Sequence, residues 1–236
     1  METIFCNQHI NSNCESCKSQ RQFIFRHLDT DQLRSLSNKI EEVHYNPGEV
    51  IFKQGTSPQG FICLKKGKVK ITCLASNGNE QIIDLKSSPD TLGIRALSTG
   101  SRHKSCAIAL DQVCICLIPK KTFHELLNSC PNMFRELLSY IGERLNRADQ
   151  RLISLTQKPM KSRLADTLLF LQKNMGIDSD GYIDIPLKRS ELSQLSNMTN
   201  SNVIRTLSEF KSKGLIKFKK RKIKIITSKT LSKISE

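Results

Sequence analysis

The chain begins with a cluster of residue types that bind metals. Cys6, His9, Cys14 and Cys17 all lie within the twelve residues CNQHINSNCESC. Thiolates and an imidazole at such short spacing suit a zinc ion or an iron–sulfur cluster, and paired cysteines can also form a disulfide. Which of these chemistries applies depends on the cellular compartment and on whether a further ligand lies elsewhere in the chain.

The rest of the composition argues against a disulfide framework. No apolar run approaches the ~18 residues of a membrane helix, and METIFCNQHI lacks the basic start and apolar core of a secretory signal. We therefore expect a cytoplasmic protein with no membrane partner. The chain has nine cysteines, an odd number, which in a reducing compartment favours buried thiols or metal ligation.

Basic residues are the second chemical feature. The net charge is +15, and residues 156–236 hold 17 Lys and Arg against 7 Asp and Glu. This distribution predicts that the C-terminal third meets a polyanion. Enzyme motifs are missing: we find no phosphate-binding glycine pattern and no G-x-S-x-G, and His124-Glu125 lacks a second zinc-binding histidine. We expect no enzyme activity.

Short β-rich stretches separated by Gly and Pro fill the region from about His44 to Pro119. Lys68 to Cys73 alternates strictly, and Asn77-Gly78 is typical of a tight hairpin. This pattern predicts an all-β roll or sandwich.

The period becomes helical from Met133 to Leu155. Apolar residues recur at heptad spacing over about 26 Å, at Leu138, Ile141, Leu145, Ala148, Leu152 and Leu155. We interpret this seam as a dimerisation helix. The alternative is a single amphipathic helix that lies on the β-roll.

A hinge at 156–162 precedes a helix from Arg163 to Met175 and then two short helical patterns, LKRSELSQL and NSNVIRTLSEFKSKG. Thr199 is a suitable N-cap for the second, and Gly214 ends it. A basic hairpin around KKRK follows, so the pattern predicts a winged helix-turn-helix. The side chains that we expect to contact double-stranded DNA are Lys188, Arg189, Thr199, Asn200, Ser201, Asn202, Arg205, Lys219, Lys220, Arg221 and Lys222.

These features together resemble the Crp/Fnr family of bacterial transcription regulators. The stretches that carry the resemblance are YNPGEVIFKQG at 45–55, GFICLKKGKVKIT at 60–72 and NMTNSNVIRTLSEFKSKGLI at 197–216. The resemblance implies a homodimer that reads two-fold symmetric DNA and acts on RNA polymerase. The family's base-contacting positions fall on Asn200, Ser201 and Arg205, with Ser201 where well-known members have glutamate.

The expected fold is α+β, with an N-terminal cyclic-nucleotide-binding-like β-roll, a long dimerisation helix and a C-terminal winged helix-turn-helix. The expected domains are a cysteine-containing arm at 1–22, the β-roll at 23–120, the helix and hinge at 121–158 and the DNA-binding domain at 159–236. The alternative function is a β-roll interaction module that does not bind DNA, which the basic helix-turn-helix argues against.

Relatives that bind cyclic AMP carry Gly-Glu for the ribose and Arg-Ser or Arg-Thr for the phosphate. Here Gly93 is followed by Ile94, and Lys104-Ser105 replaces Arg-Ser after a one-residue insertion. Isoleucine cannot accept the ribose hydrogen bond, and lysine lacks the planar fork of arginine. We expect no cyclic AMP binding, although Arg102 could hold another anion.

The oxygen-sensing branch of the family holds a [4Fe–4S] cluster with three N-terminal cysteines and a fourth in a Cys-x-Ile-Pro stretch. Cys116 to Pro119 reads Cys-Leu-Ile-Pro, and the resemblance then implies Cys6, Cys14, Cys17 and Cys116 as ligands. Phe23 lies where the branch has its third N-terminal cysteine, so three alternatives stay open. In the first, the chain binds no metal and is constitutive or gated by a ligand. In the second it senses oxidants directly through a thiol, and in the third Cys6, His9, Cys14 and Cys17 bind zinc. Within the cluster itself, Cys114 could replace Cys116.

Overall fold

The computed structural model describes residues 24–74, 78 and 80–236. Cys6, His9, Cys14, Cys17 and Asn77 therefore lie outside the described residues. The chain divides into two compact units, one formed by Met1–Gln81 with Leu85–Glu143 and the other by Ile82–Asp84 with Arg144–Glu236. Within the described ranges, no helix has both the length and the apolar character to cross a membrane.

The first unit contains two four-stranded sheets, which confirms the predicted β-roll. One sheet has the strand order β1-β8-β3-β6 and the other the order β2-β7-β4-β5. The strands are β1 (Glu41–Tyr45), β2 (Val50–Phe52), β3 (Gly60–Lys66), β4 (Lys68–Leu74), β5 (Glu80–Ser87), β6 (Asp90–Leu92), β7 (Cys106–Ala109) and β8 (Val113–Pro119).

Strand β3 is central to the first sheet and is buried from Gly60 to Leu64. It pairs antiparallel with β8 on one side and β6 on the other. A Cβ atom at Gly60 would lie 2.0 Å from the backbone oxygen of Ile118, so only glycine allows β3 and β8 to approach this closely.

Short helices cover this sheet. They are a 3-10 helix (Ile24–His27), α1 (Thr30–Ser37), α2 (Ile94–Thr99) and α3 (Lys120–Ser129). The first three were not predicted, because each is too short to show a helical period in the sequence. Helix α3 lies in the segment 121–158 that was predicted as one helix and hinge, which the structure divides at Cys130. Phe61 of β3 stacks on Phe123 of α3 with ring centroids 4.3 Å apart, and Phe25 meets Phe61 edge-on at 5.7 Å.

The long helix α4 runs from Pro131 to Gln157 and confirms the predicted helix. Met133 and Leu137 are buried in the same apolar cluster as Phe61, and Ile141 packs against it. Leu138, Leu145 and Leu152 are 53%, 63% and 62% exposed. The first turns of α4 thus lie on the β-roll, while most of the heptad seam stays uncovered within the chain.

The second unit confirms the helix-turn-helix and the wing. Its elements are α5 (Met160–Met175), α6 (Arg189–Ser196), α7 (Asn200–Ser212), β9 (Ile216–Lys219), β10 (Lys222–Ile225) and α8 (Ser228–Ser235). The turn between α6 and α7 uses Asn197 in the left-handed region, at φ 50°. Helix α8 was not predicted; its Leu231 is fully buried and α8 packs on α5.

Candidate nucleic-acid interface and thiol cluster

Helix α7 is capped and oriented by its own sequence. The Thr199 hydroxyl accepts a hydrogen bond from the backbone N–H of Asn202 at 3.3 Å, which satisfies one of the free donors of the first turn. Val203, Leu207 and Phe210 are buried. Because these apolar residues repeat with the helical period, the opposite face of α7 must point away from the core.

That opposite face carries the side chains predicted to read DNA. Asn200, Ser201 and Arg205 are exposed, and Arg205 donates through Nη2 to the Asn202 side-chain oxygen at 3.0 Å. Ile204, 52% exposed, and exposed Ser208 lie on the same face but were missed. They lie three and seven residues after Ser201, and this helical spacing could have identified them from the sequence.

The start of α6 presents two basic residues with different surroundings. Lys188 is exposed, and its backbone N–H donates to the Glu191 carboxylate at 2.9 Å. The guanidinium of Arg189 lies over the Phe218 ring, 4.8 Å from its centroid, and burial lowers the pKa of Arg189. Arg189 therefore joins α6 to the wing through a cation–π contact.

The wing presents Lys220 and Arg221 at its tip. Both are exposed, and Lys220 has a φ of 54°. The flanking lysines are ion-paired instead. Lys219 contacts the Asp180 carboxylate, and Lys222 contacts Asp178 and Asp184, each at 2.9 Å.

These ion pairs change the pKa values of Lys219, Lys222 and Asp178. Hydrogen bonds to Asp184 and Asp178 raise the pKa of Lys222, and the bond to Asp180 raises that of Lys219. The bond from Lys222 lowers the pKa of Asp178. Two of the four cations of the KKRK stretch thus have carboxylate partners in the loop after α5. These partners lie some forty residues away, and the sequence pattern does not indicate them.

The first unit holds a cluster of thiols on the sheet β1-β8-β3-β6. Cys114 and Cys116 are 4% and 2% exposed and share one face of β8, since they are two residues apart. Cys63 of β3 lies directly opposite Cys116. Cys116 belongs to the apolar cluster that also contains Ile24 and Phe25, where the described part of the chain begins.

Cys114 has a more polar environment than Cys116. Its Sγ donates to Glu42 Oε1 at 3.1 Å, and Lys65 Nζ donates to the other oxygen of Glu42 at 2.6 Å. Burial, followed by the hydrogen bond to Glu42, strongly raises the pKa of the Cys114 thiol.

A buried imidazole lies against Gly93, the glycine of the expected ribose-binding position. Ile94 is buried at the start of α2, and His103 is 5% exposed. The His103 ring stacks on Phe52 with centroids 4.0 Å apart, and a Cβ on Gly93 would come within 2.7 Å of its Cε1. Arg102 donates to the backbone oxygen of Gly55 at 2.9 Å. His103 was not predicted, and no sequence pattern marks it.

Two family models match the chain. A cyclic nucleotide-binding domain matches residues 42–130, and a Crp-like helix-turn-helix domain matches residues 162–234. The fumarate nitrate reduction regulatory protein of Klebsiella oxytoca is 24% identical over 226 residues, which cover 94% of this chain and 90% of that protein.

Solved structures share the fold at low identity. FixK2 from Bradyrhizobium japonicum matches with a TM-score of 0.74 and 22% identity, covering 84% of this chain and 98% of that one. A Crp/Fnr-family transcriptional regulator from Thermus thermophilus matches with a TM-score of 0.68 and 23% identity, over 83% and 98% of the two chains. With both domain models matched in the order that the fold shows, this chain belongs to the Crp/Fnr family of DNA-binding transcription regulators.

Proposed function

We propose that the protein acts as a homodimer that reads a two-fold symmetric DNA site and regulates transcription through RNA polymerase in the cytoplasm. The observations that carry this proposal are the exposed polar face of α7, which includes Arg205, and the exposed basic tip of the wing. In a dimer, two such helices enter successive major grooves about 34 Å apart. Transcription from a selected promoter, with and without the protein, tests the effect on the polymerase.

The exposed apolar face of α4 supports dimerisation. Leu138, Leu145 and Leu152 follow one another at heptad spacing and are each more than half exposed in the single chain. Apolar residues in this pattern are stabilised when a second helix covers them. The face fits a second copy of α4, because a two-fold axis would place equivalent leucines against each other.

We further propose that the protein does not respond to cyclic AMP. Buried Ile94 offers no acceptor to a ribose hydroxyl, and the His103 ring packs between Phe52 and Gly93. A ligand there would have to displace this stacked ring. The signal then has to enter elsewhere in the chain.

We propose that the signal acts on a [4Fe–4S] cluster whose ligands are the N-terminal cysteines and Cys116. Cys116 suits the fourth position, because its buried thiol shares an apolar cluster with Ile24 and Phe25. The seven residues from Cys17 to Ile24 span at most about 23–25 Å, which limits how far Cys17 can lie from Ile24. Such a cluster supplies sensitivity to oxidants when bound. The expected ligands are Cys6, Cys14, Cys17 and Cys116.

Replacing Arg205 with Ala should weaken binding to a selected site by about 1–3 kcal/mol, since arginine contacts base edges. Lys220→Ala should weaken binding to all sequences equally and reduce the salt slope by about 0.9, the value for one lost phosphate contact. Fluorescence anisotropy at several salt concentrations measures both effects. Unchanged specific affinity in Arg205→Ala would show that α7 does not read the bases.

Asp180→Asn should strengthen binding to any duplex, because it frees Lys219 to contact a phosphate. We expect the salt slope to steepen by up to about 0.9. Asp149→Asn, on exposed α4, is the matched control because it makes the same change in net charge far along the chain from the wing. An equal gain in both variants would mean that only net charge matters.

Leu145→Glu should increase the monomer fraction. Removing two apolar side chains per dimer costs at least about 2 kcal/mol, or roughly thirtyfold in the dissociation constant. Sedimentation equilibrium measures this constant, with Asn146→Glu as a control beside the seam. A dimer that is equally stable in both variants would place the interface elsewhere.

Calorimetry with cyclic AMP should give no saturable heat at micromolar concentrations. The physical reason is the missing ribose acceptor at Ile94 together with the packed His103 ring. Saturable binding in that range would overturn the assignment of this region as closed to the nucleotide.

Reconstitution with iron and sulfide in the absence of oxygen should give about four irons per chain and a brown colour that is lost in air. Cys116→Ala and Cys14→Ala should lose both iron and colour, whereas Cys73→Ala, on the other sheet, should keep them. Equal, low iron content in the parent and in Cys14→Ala would leave the no-metal or zinc alternatives.

A further inference from the structure

A set of ligating side chains that includes none of the N-terminal cysteines lies on the β-roll. Glu42 and His44 are two residues apart on β1, and Cys114 lies directly opposite His44 on β8. Side chains two residues apart on a strand share a face, as do directly paired residues on neighbouring strands. We propose that Glu42, His44 and Cys114 form a binding site for a zinc ion. This inference does not rest on the proposed cluster or on DNA binding, although Cys116, a proposed ligand of the cluster, lies directly opposite Glu42.

The distances within this trio already approach those of a metal site. Glu42 Oε1 lies 3.2 Å from His44 Nε2 and 3.1 Å from Cys114 Sγ, and all three ligand atoms lie within 4.8 Å of one another. Around a tetrahedral zinc ion, neighbouring ligand atoms are about 3.4–3.6 Å apart. The two distances from Glu42 Oε1 would have to lengthen by roughly half an ångström or less to reach these values. Rotation of the exposed imidazole would bring His44 Nε2 close enough to Cys114 Sγ.

The surroundings suit a site with a supported carboxylate and an open position. Lys65 Nζ donates to the second oxygen of Glu42 at 2.6 Å, and a hydrogen bond of this kind orients a ligating carboxylate. The side chain of Glu42 is 6% exposed, whereas that of His44 is 53% exposed. An ion can therefore enter from the His44 side, and water can complete the tetrahedron.

The mixed ligand set selects the class of metal. One thiolate, one imidazole and one carboxylate suit Zn²⁺ and its surrogate Co²⁺, and a thiolate disfavours Mg²⁺ and Ca²⁺. On binding, the Sγ–metal bond replaces the S–H bond of Cys114, and the thiol proton leaves to solvent. The imidazole binds through Nε2 and keeps its proton on Nδ1. The bound ion would tie β1, the edge strand of its sheet, to β8.

Cobalt titration of the full-length, chelator-treated protein in the absence of iron and sulfide tests this site. We expect about one Co²⁺ per chain, with a thiolate-to-cobalt charge-transfer band that Zn²⁺ displaces. His44→Ala, Glu42→Gln and Cys114→Ser should each weaken binding by at least about tenfold, on the scale seen for damaged metal shells. His44 is exposed, so its replacement leaves the core intact and keeps the test valid if Cys114→Ser fails to fold.

Two controls separate this site from other metal ligands in the chain. His124→Ala, at another exposed histidine, should bind Co²⁺ as the parent does. The double variant Cys14→Ser with Cys17→Ser should also keep the band. A parent protein without the band would overturn the proposal, as would a band that survives in His44→Ala but disappears in the double variant, which would place the ion on the N-terminal cysteines.

Discussion

The stacked rings of Phe61 and Phe123, 4.3 Å apart, are the contact on which the first unit depends. Phe61 is fully buried on the central strand β3, and Phe123 brings α3 across the sheet face that would otherwise lie open to water. Because α4 begins two residues after α3 ends, this stack also places Met133 and Leu137 in the core. Burial of these large side chains, at roughly 1.5–3 kcal/mol each, stabilises the start of the long helix and leaves its apolar seam outside.

In the second unit, apolar side chains orient α7, and part of the excess positive charge is paired with carboxylates of the same unit. Val203, Leu207 and Phe210 hold α7 in the core, and this fixes which of its side chains can reach a partner. Elsewhere the unit neutralises part of its own charge, since Lys219 and Lys222 contact Asp180, Asp178 and Asp184. Lys220 and Arg221 at the wing tip are exposed and have no ion pair among the described residues. On the proposed DNA-binding role, these carboxylates would compete with phosphates for the same lysines.

The β-roll has the fold of a cyclic nucleotide-binding domain, and a buried imidazole packs beside its Gly93. His103 stacks on Phe52 against Gly93, which makes it an aromatic contact inside the roll. The residues able to ligate metals lie on another part of the domain, along β1 and β8. There Cys116 is buried among apolar side chains, whereas Cys114 shares its hydrogen bond with Glu42. Neighbouring thiols on one strand thus have different chemistry.

Local patterns in the sequence determined the main elements. Alternation in Lys68 to Cys73, the heptad seam on α4 and the cap at Thr199 all predicted elements that the structure contains, because each reflects contacts within a few residues. The structure alone decided which basic residues pair with acids, because Asp180 and Lys219 meet only when the loop after α5 lies beside the wing. It also decided that Glu42, His44 and Cys114 converge, since cross-strand register joins residues about seventy positions apart. Contacts between distant residues depend on how the strands and helices pack, and the periodicity of the sequence does not specify that packing.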